Sequence, residues 1–229
     1  YNGATLLRTM IESLSSADPT PFWWDGPASR FGSRPSLSDD LTVDVAIVGG
    51  GYTGLWTALL AKEADPGLDV VVLESDRIAE GASGRNGGFV ASSVTHGFAN
   101  GLSRWPEDLT ELTRQGHANL DAIEETISRY EMDVDFARTG EIEDATEAHQ
   151  VEELEQLPDL AAPYGERLEF LDAQATRAMV NSPMYEGGVL DLGAEAGDAA
   201  LDLDDVLDTA EAGDDLLLAG LGHREVDGG

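Results

Sequence analysis

Between residues 44 and 74 the hydrophobic positions change period twice. Val45, Ala46, Ile47 and Val48 form an unbroken apolar run rich in β-branched residues, which predicts a short buried strand over residues 44–48. From residue 53 to 64 the apolar positions Leu55, Ala58, Leu59 and Ala61 recur on one face of a helix, and Asp65-Pro66-Gly67 ends it. Val70, Val71, Val72 and Leu73 then predict a second strand over residues 69–74. Strand, helix and strand within about 30 residues make a βαβ unit, with parallel strands joined by a right-handed crossover. The expected fold class is therefore α/β.

Ahead of this unit, residues 1–40 read as an N-terminal arm. Leu6, Leu7, Met10, Ile11 and Leu14 predict a short amphipathic helix, and Pro19, Pro21, Gly26, Pro27, Gly32 and Pro35 punctuate an irregular stretch after it. Phe22-Trp23-Trp24 within that stretch reads as an anchor onto the main domain or as an aromatic wall facing a ligand. Beyond the unit, a glycine-rich loop fills residues 81–88. A long helix is predicted over residues 105–130, with Leu109, Leu112, Leu120, Ile123, Ile127 and Tyr130 on one stripe and Pro106 in its first turn. Strands are expected at 134–138 and 141–145 around Gly140, an acidic surface helix at 147–157, and a helix over 173–180 capped by Asp172. Near residue 189 the composition shifts. The remainder holds twelve acidic residues, one base (Arg224) and no aromatic residue, with a helix expected over 201–212.

Charge narrows the candidate functions. Lys+Arg number 13 against 45 Asp+Glu, a formal net charge of −32. A field of that sign repels phosphate backbones and anionic lipid heads, so neither nucleic acid nor a membrane surface is an expected partner. Lys62 is the only lysine; such a surface suits a salt-adapted cytoplasm and a GC-rich genome equally. No apolar run approaches the roughly 20 residues that cross a bilayer, and residues 1–16 lack the apolar core of a signal peptide, so a cytoplasmic location is expected. The chain begins at Tyr1 rather than Met, so a longer N-terminus is expected. The absence of cysteine excludes disulfides, Cys-ligated zinc, iron–sulfur clusters and a thiolate nucleophile. Among the histidines (His96, His117, His149 and His223) none has a metal-ligand partner three or four residues on, and no metal site is expected. His96 reads as a plain loop or core residue, or as one facing whatever the preceding loop binds.

Candidate chemistry sits between the first strand and the helix. Gly49-Gly50-Gly51-Tyr52-Thr53-Gly54 is G-x-G-x-x-G. Gly49 allows the tight turn, Gly51 lets main chain approach a pyrophosphate, and Gly54 permits close helix–strand packing. The helix start, at Tyr52 and Thr53, aims unpaired N–H groups and roughly half a positive charge at the phosphates. Glu74 ends the second strand, 20 residues after Gly54, where a carboxylate accepts hydrogen bonds from a ribose and disfavours a 2′-phosphate; FAD or NAD fits better than NADP. In Gly81-Ala82-Ser83-Gly84-Arg85-Asn86-Gly87-Gly88, Ser83 can donate to a phosphate oxygen, Arg85 can neutralise pyrophosphate charge, and Asn86 with the Gly87 and Gly88 amides can bond a ring edge. Spacing alone also fits a loop whose glycines serve only its backbone shape.

The stretch DVAIVGGGYTGLWTALLAKE followed by VVVLESDRIAEGASGRNGGFV resembles the flavin-binding start of the FAD-dependent amine and D-amino-acid oxidase family, nearest its γ-glutamylputrescine oxidase-like branch, where a G-A-S-G-R-N-G-G loop is usual. Phe22-Trp23-Trp24, residues 140–145 and residues 181–188 (NSPMYEGG) are similar to the arm, a strand and the entry to the substrate domain of that branch. The resemblance implies a Rossmann-like FAD-binding domain over residues 41–188 with only the start of a substrate domain. It places Gly49, Gly51, Tyr52, Thr53 and Gly54 at the pyrophosphate, Glu74 at the ribose, and Ser83, Gly84, Arg85, Asn86, Gly87 and Gly88 along the pyrophosphate and flavin. Some relatives carry a flavin-linking His where Arg85 stands, so non-covalent FAD is implied.

Family members run well beyond 229 residues, which implies a chain truncated or altered after about residue 188. Residues 189–229 then read as an acidic low-complexity tail of foreign origin, or as an acidic helix closing a minimal domain. The resemblance implies oxidation of the C–N bond of a small amine or amino acid by hydride transfer to flavin, with no catalytic acid or base assignable. Two alternatives stand beside it: a catalytically incompetent dinucleotide-binding fragment, and an NAD-linked dehydrogenase on the same βαβ unit. The loop at 81–88 speaks against the second.

Overall fold

The computed structural model describes residues 35–193, together with the main chain of residues 195–196 and 216–220. The arm helix, Phe22-Trp23-Trp24 and the helix expected over 201–212 lie outside the described residues. The chain divides into two compact units, one drawn from residues 1–85 and 215–229, the other from residues 86–214.

The first unit is the βαβ unit with one added strand. β1 (Val45–Val48), α1 (Tyr52–Ala64) and β2 (Val70–Glu74) fall within a residue of their expected bounds. The two strands are parallel, with Val45 opposite Val70 and Val48 opposite Leu73. Val70, Val71 and Val72 are all within 2% of full burial, as expected of a strand covered on both faces. α1 buries Leu55, Ala58 and Leu59. Lys62 closes the turn after it, donating to Pro66 O (2.8 Å) and Leu68 O (3.0 Å). A further strand, β8 (Leu216–Gly220), runs parallel to β2 on its other side, pairing Val70 with Leu216 and Glu74 with Gly220, so the sheet order is β1-β2-β8. β8 comes from the segment that composition sets apart as an acidic tail.

The second unit is α+β in arrangement. β3 (Phe89–Val90) pairs antiparallel with β7 (Glu195–Ala196). β4 (Glu141–Ala145), β6 (Gly187–Asp191) and β5 (Leu168–Asp172) form an antiparallel sheet in the order β4-β6-β5. β6 runs through residue 188, so the expected boundary there falls inside a strand. α4 (Ala148–Ala161) covers one face, with Leu154 packed on Ala145 and Val189 beside Val151, Leu157, Leu168 and Phe170. Its N-terminus is a capping box between Glu147 and Gln150. It is longer than the expected surface helix because its apolar face is buried. α5 (Ala173–Val180) matches its expected bounds, and the Asp172 carboxylate accepts from Ala175 N (2.8 Å) as its cap.

Three expectations are corrected. The long helix, α3 (Leu109–Arg129), starts after Pro106 rather than with it. A turn closed by Asp108 N to Trp105 O (3.1 Å) holds Pro106 at the position where its fixed φ is favoured. A separate helix, α2 (Phe98–Arg104), precedes that turn. Residues 134–138 form no strand: Val134 N bonds Met132 O and Phe136 N bonds Val134 O, tight local turns that withhold these groups from a ladder. On α3 the buried stripe includes Thr113 and Gly116 as well as Leu109 and Leu120. A Cβ on Gly116 would overlap the Ser92 carbonyl. Thr113 Oγ1 donates to Glu166 Oε1 (3.0 Å), and His117 Nε2 stands 3.5 Å from Glu166 Oε2.

Candidate functional site

Parallel register delivers the two ends of the site to one level. Val48 lies opposite Leu73, and Gly49 N still donates to Leu73 O (2.8 Å), so the chain leaves β1 beside Glu74. Gly49 has φ +106°, a conformation open to glycine at little penalty, and nothing lies within 4 Å of where its Cβ would be. Gly54 is pressed so closely on the Gly49 carbonyl that any Cβ would overlap it. These are the turn and the close approach that the motif predicts.

Glu74 turns toward the corner. Its Oε2 accepts from Gly50 N (2.7 Å), while Oε1 accepts from Ser75 N (2.7 Å), Ser75 Oγ (3.1 Å) and Asp76 N (3.2 Å). Partial burial is the largest single influence and pushes the carboxyl's pKa up. The bonds from Gly50, Asp76 and Ser75 together outweigh it and hold Glu74 below its ordinary value near 4.5. An ionised carboxylate therefore stands at the strand end, as a ribose-binding role requires.

At the helix start, Gly51 is the N-cap of α1 and contributes no side-chain acceptor. Ser83 comes across from the second loop, its Oγ accepting from Tyr52 N (3.0 Å). A Cβ on Gly51 would stand 2.9 Å from that hydroxyl, so in this structure Ser83 is what first demands glycine there. Thr53 is exposed on the first turn, and its carbonyl accepts from Thr57 Oγ1 (2.6 Å). The second loop is tied to the first by Ala79 N to Gly50 O (2.9 Å), and Ile78 lies over the Gly50 Cα. Ala79 is 3% exposed with φ +58°.

Ser83 and buried Gly84 lie in a 3₁₀ turn, Ala82–Gly84. Arg85 closes it, donating from Nε to Glu80 O (2.8 Å) and from Nη2 to Glu80 Oε1 (2.7 Å). The guanidinium therefore meets a carboxylate of its own loop. In the second unit, Asn86 Oδ1 accepts from Gly88 N (2.8 Å), Gly88 is buried with φ +79°, and a Cβ on Gly87 would stand 3.2 Å from the Phe89 ring. The structure thus gathers Gly49, Gly51, Tyr52, Thr53, Gly54, Glu74 and Ser83 at one corner. Ile78, Ala79 and Glu80 belong to it too, although sequence reading passed over them. The one signal was an acid five residues before Arg85 across a glycine-rich turn.

His96 is exposed, with φ +57°, in a turn held by Gly97 N to Ser93 Oγ (2.8 Å). Among the described residues, no three His, Asp or Glu side chains are grouped to hold a metal. No helix among them is long and apolar enough to cross a membrane.

A parallel βαβ unit with bare main chain at its corner and an ionised acid closing its second strand defines a dinucleotide-binding fold. The chain belongs to the DAO family, described as FAD dependent oxidoreductase, whose pattern matches residues 44–212. It is 38% identical over 174 residues to gamma-glutamylputrescine oxidoreductase of Escherichia coli (strain K12), covering 75% of this chain and 40% of that protein. It therefore spans well under half the length of that relative. Its fold is similar to that of glycine oxidase from Bacillus cereus ATCC 14579, with a TM-score of 0.61 at 21% identity over 79% of this chain and 46% of the other. L-amino acid deaminase from Proteus vulgaris, solved without its specific insertion sequence, superimposes with a TM-score of 0.64 at 15% identity, covering 86% of this chain and 49% of the other.

Proposed function

We propose that this chain is the cofactor-binding part of an FAD-dependent oxidoreductase that oxidises the C–N bond of a small amine or amino acid. The observation that carries the proposal is the corner itself: Glu74 ionised against the Gly50 amide, and a helix start whose N-cap brings no side chain. The corner fits a dinucleotide: Gly54 lets the helix start press against the Gly49 carbonyl, Gly51 brings no side chain to the N-cap, and the Gly49 Cα faces open space.

In this reading Gly49 and Gly51 leave room for the pyrophosphate, Gly54 seats the helix start beside it, and the Thr53 amide with the Ser83 hydroxyl, whose oxygen is held on the Tyr52 amide, bond its oxygens. Glu74 accepts from the ribose hydroxyls. Gly84, Arg85, Asn86, Gly87 and Gly88 continue along the same cofactor by chain continuity. Bound FAD would supply a two-electron acceptor for hydride from the carbon beside the amine, the resulting imine then hydrolysing. With Arg85 standing where a linking His would be, the cofactor is held non-covalently. The γ-glutamylputrescine and amino-acid enzymes among the similar proteins support an amine or amino-acid substrate. The cysteine-free sequence supports a cytoplasmic location.

The share of the relative that the chain spans favours a second reading, a fragment that binds FAD without turnover. Purified protein separates the two. Bound flavin that bleaches when amine is added supports the enzyme, and bound flavin that never bleaches supports the fragment. Protein that retains NADH and no flavin refutes both.

A further inference from the structure

Glu80 lies outside both glycine motifs, yet two donors of one guanidinium converge on it. Arg85 Nε reaches its carbonyl and Nη2 its carboxylate, while Arg77 Nε stands 4.0 Å from the other carboxylate oxygen. The clasp joins residues 80 and 85 and encloses the segment 81–84. That segment contains Gly81 and Gly84, so it has many conformations to lose on ordering. Its own main-chain bonds are long: Gly84 N to Gly81 O is 3.3 Å and Arg85 N to Ala82 O is 3.2 Å. At the middle of the segment is Ser83, whose hydroxyl meets the first amide of α1.

We propose that Glu80 is a positioning residue for the cofactor cradle: by clasping Arg85 through its carbonyl and carboxylate together, it closes the Ala82–Gly84 turn and holds the Ser83 hydroxyl at the helix start. The clasp is half-exposed, and an exposed pair adds little to global stability. Its effect is geometric, ordering the turn before ligand arrives so that binding need not. The planar fork offers Nε and Nη2 as two fixed donors along one edge, whereas a lysine would present one rotatable ammonium and no donor at the Nε position. The clasp also joins one positive to one negative group, so the diphosphate meets oriented amides more than free charge. The inference rests on the FAD reading of this corner.

Two measurements test it. The first is titration of the full chain with FAD and with ADP. The second is hydrogen exchange at the Tyr52 amide without ligand. Glu80→Ala is expected to weaken FAD binding about threefold to tenfold and to speed Tyr52 exchange by a similar factor. Glu80→Gln keeps an oxygen for Nη2 and is expected to recover most of both. Arg85→Lys, followed by exchange alone, is expected to behave like Glu80→Ala. If Glu80→Ala binds FAD and protects Tyr52 as wild type does, the assignment fails while the FAD reading stands. If Gln fails to rescue and both variants lose melting temperature alike, Glu80 is merely structural and the assignment also fails. Wild type that binds neither FAD nor ADP overturns the FAD reading and this inference with it.

Discussion

β2 and β4 have the same length and opposite logic. β2 is apolar along most of its run and buried on both faces at Val70, Val71 and Val72. β4 alternates exposed Glu141 and Glu143 with half-buried Ile142 and Asp144 before ending at Ala145, which is buried against α4. A parallel strand between neighbours must be apolar throughout, whereas an antiparallel strand with one covered face needs apolar residues only at every second position. The consequence reaches the polar groups at each site. Glu74, at the end of β2, is met by four donors and its pKa is held down. Asp144 on β4 has a buried Oδ1 that finds no hydrogen-bond partner among the described residues, and burial pushes its pKa up. The first carboxylate is built into its corner; the second is tolerated on its sheet.

The sharpest test of this contrast uses close-packed glycines. Gly54→Val drives a side chain into the Gly49 carbonyl and should cost about 3 kcal/mol or more, with loss of FAD binding. Gly116→Val meets the Ser92 carbonyl in the other unit and should lose similar stability, while its folded fraction still binds FAD. Urea unfolding followed by FAD titration separates them; equal loss of binding in both would erase the distinction.

The carboxylates come next. Glu74→Ala should weaken FAD binding by about 1.5–3 kcal/mol through lost charge-assisted bonds, read by titration. Because folding lowers its pKa, Glu74 contributes stability that is fully present above about pH 4.5 and is lost as the pH falls through its folded value. Asp144 has the opposite sign. Its ionised form is disfavoured in the folded state, so the penalty is present at neutral pH and relieved on acidification. Asp144→Asn should therefore raise the melting temperature at pH 7 and change nothing well below pH 3.8. A drop at pH 7 would show that Asp144 has a partner in solution.

The smallest effects concern left-handed backbone. Ala79→Gly relieves a conformation that costs alanine about 1 kcal/mol, a gain partly offset by glycine's freedom when unfolded. Asn181, which ends α5 at φ +49°, adopts that shape readily, so Asn181→Gly should shift stability by only a few tenths of a kcal/mol. Thermal melts of the two variants rank them; a larger gain at Asn181 would reverse the argument.

The same contrast explains what could be read from the sequence. β1, α1 and β2 lie within a residue of expectation because continuous apolar runs and a glycine corner are local signals. α5 was legible for a similar reason, since Asp172 caps it from the adjoining position. β5 and β6 were not expected as strands: LEFLD and GGVLD are short, with acids and glycines, and become strands only by pairing within the β4-β6-β5 sheet. Residues 134–138 carry alternation, but apart from a single bridge residue at Asp135 they enter no ladder and fold into local turns. At the site, glycines and Glu74 announce themselves by spacing. Glu80, Ile78 and Ala79 do not, because what places them is the return of the second loop onto Gly50.

β8 carries a consequence for biosynthesis. Residues 75–215 must be translated before β2 can acquire its outer neighbour, so a nascent chain leaving the ribosome displays one flank of β2 unpaired while the whole intervening unit is made. Expression that stalls or is clipped within that interval yields a half-clad hydrophobic ribbon, the kind of species that chaperones shield and inclusion bodies collect.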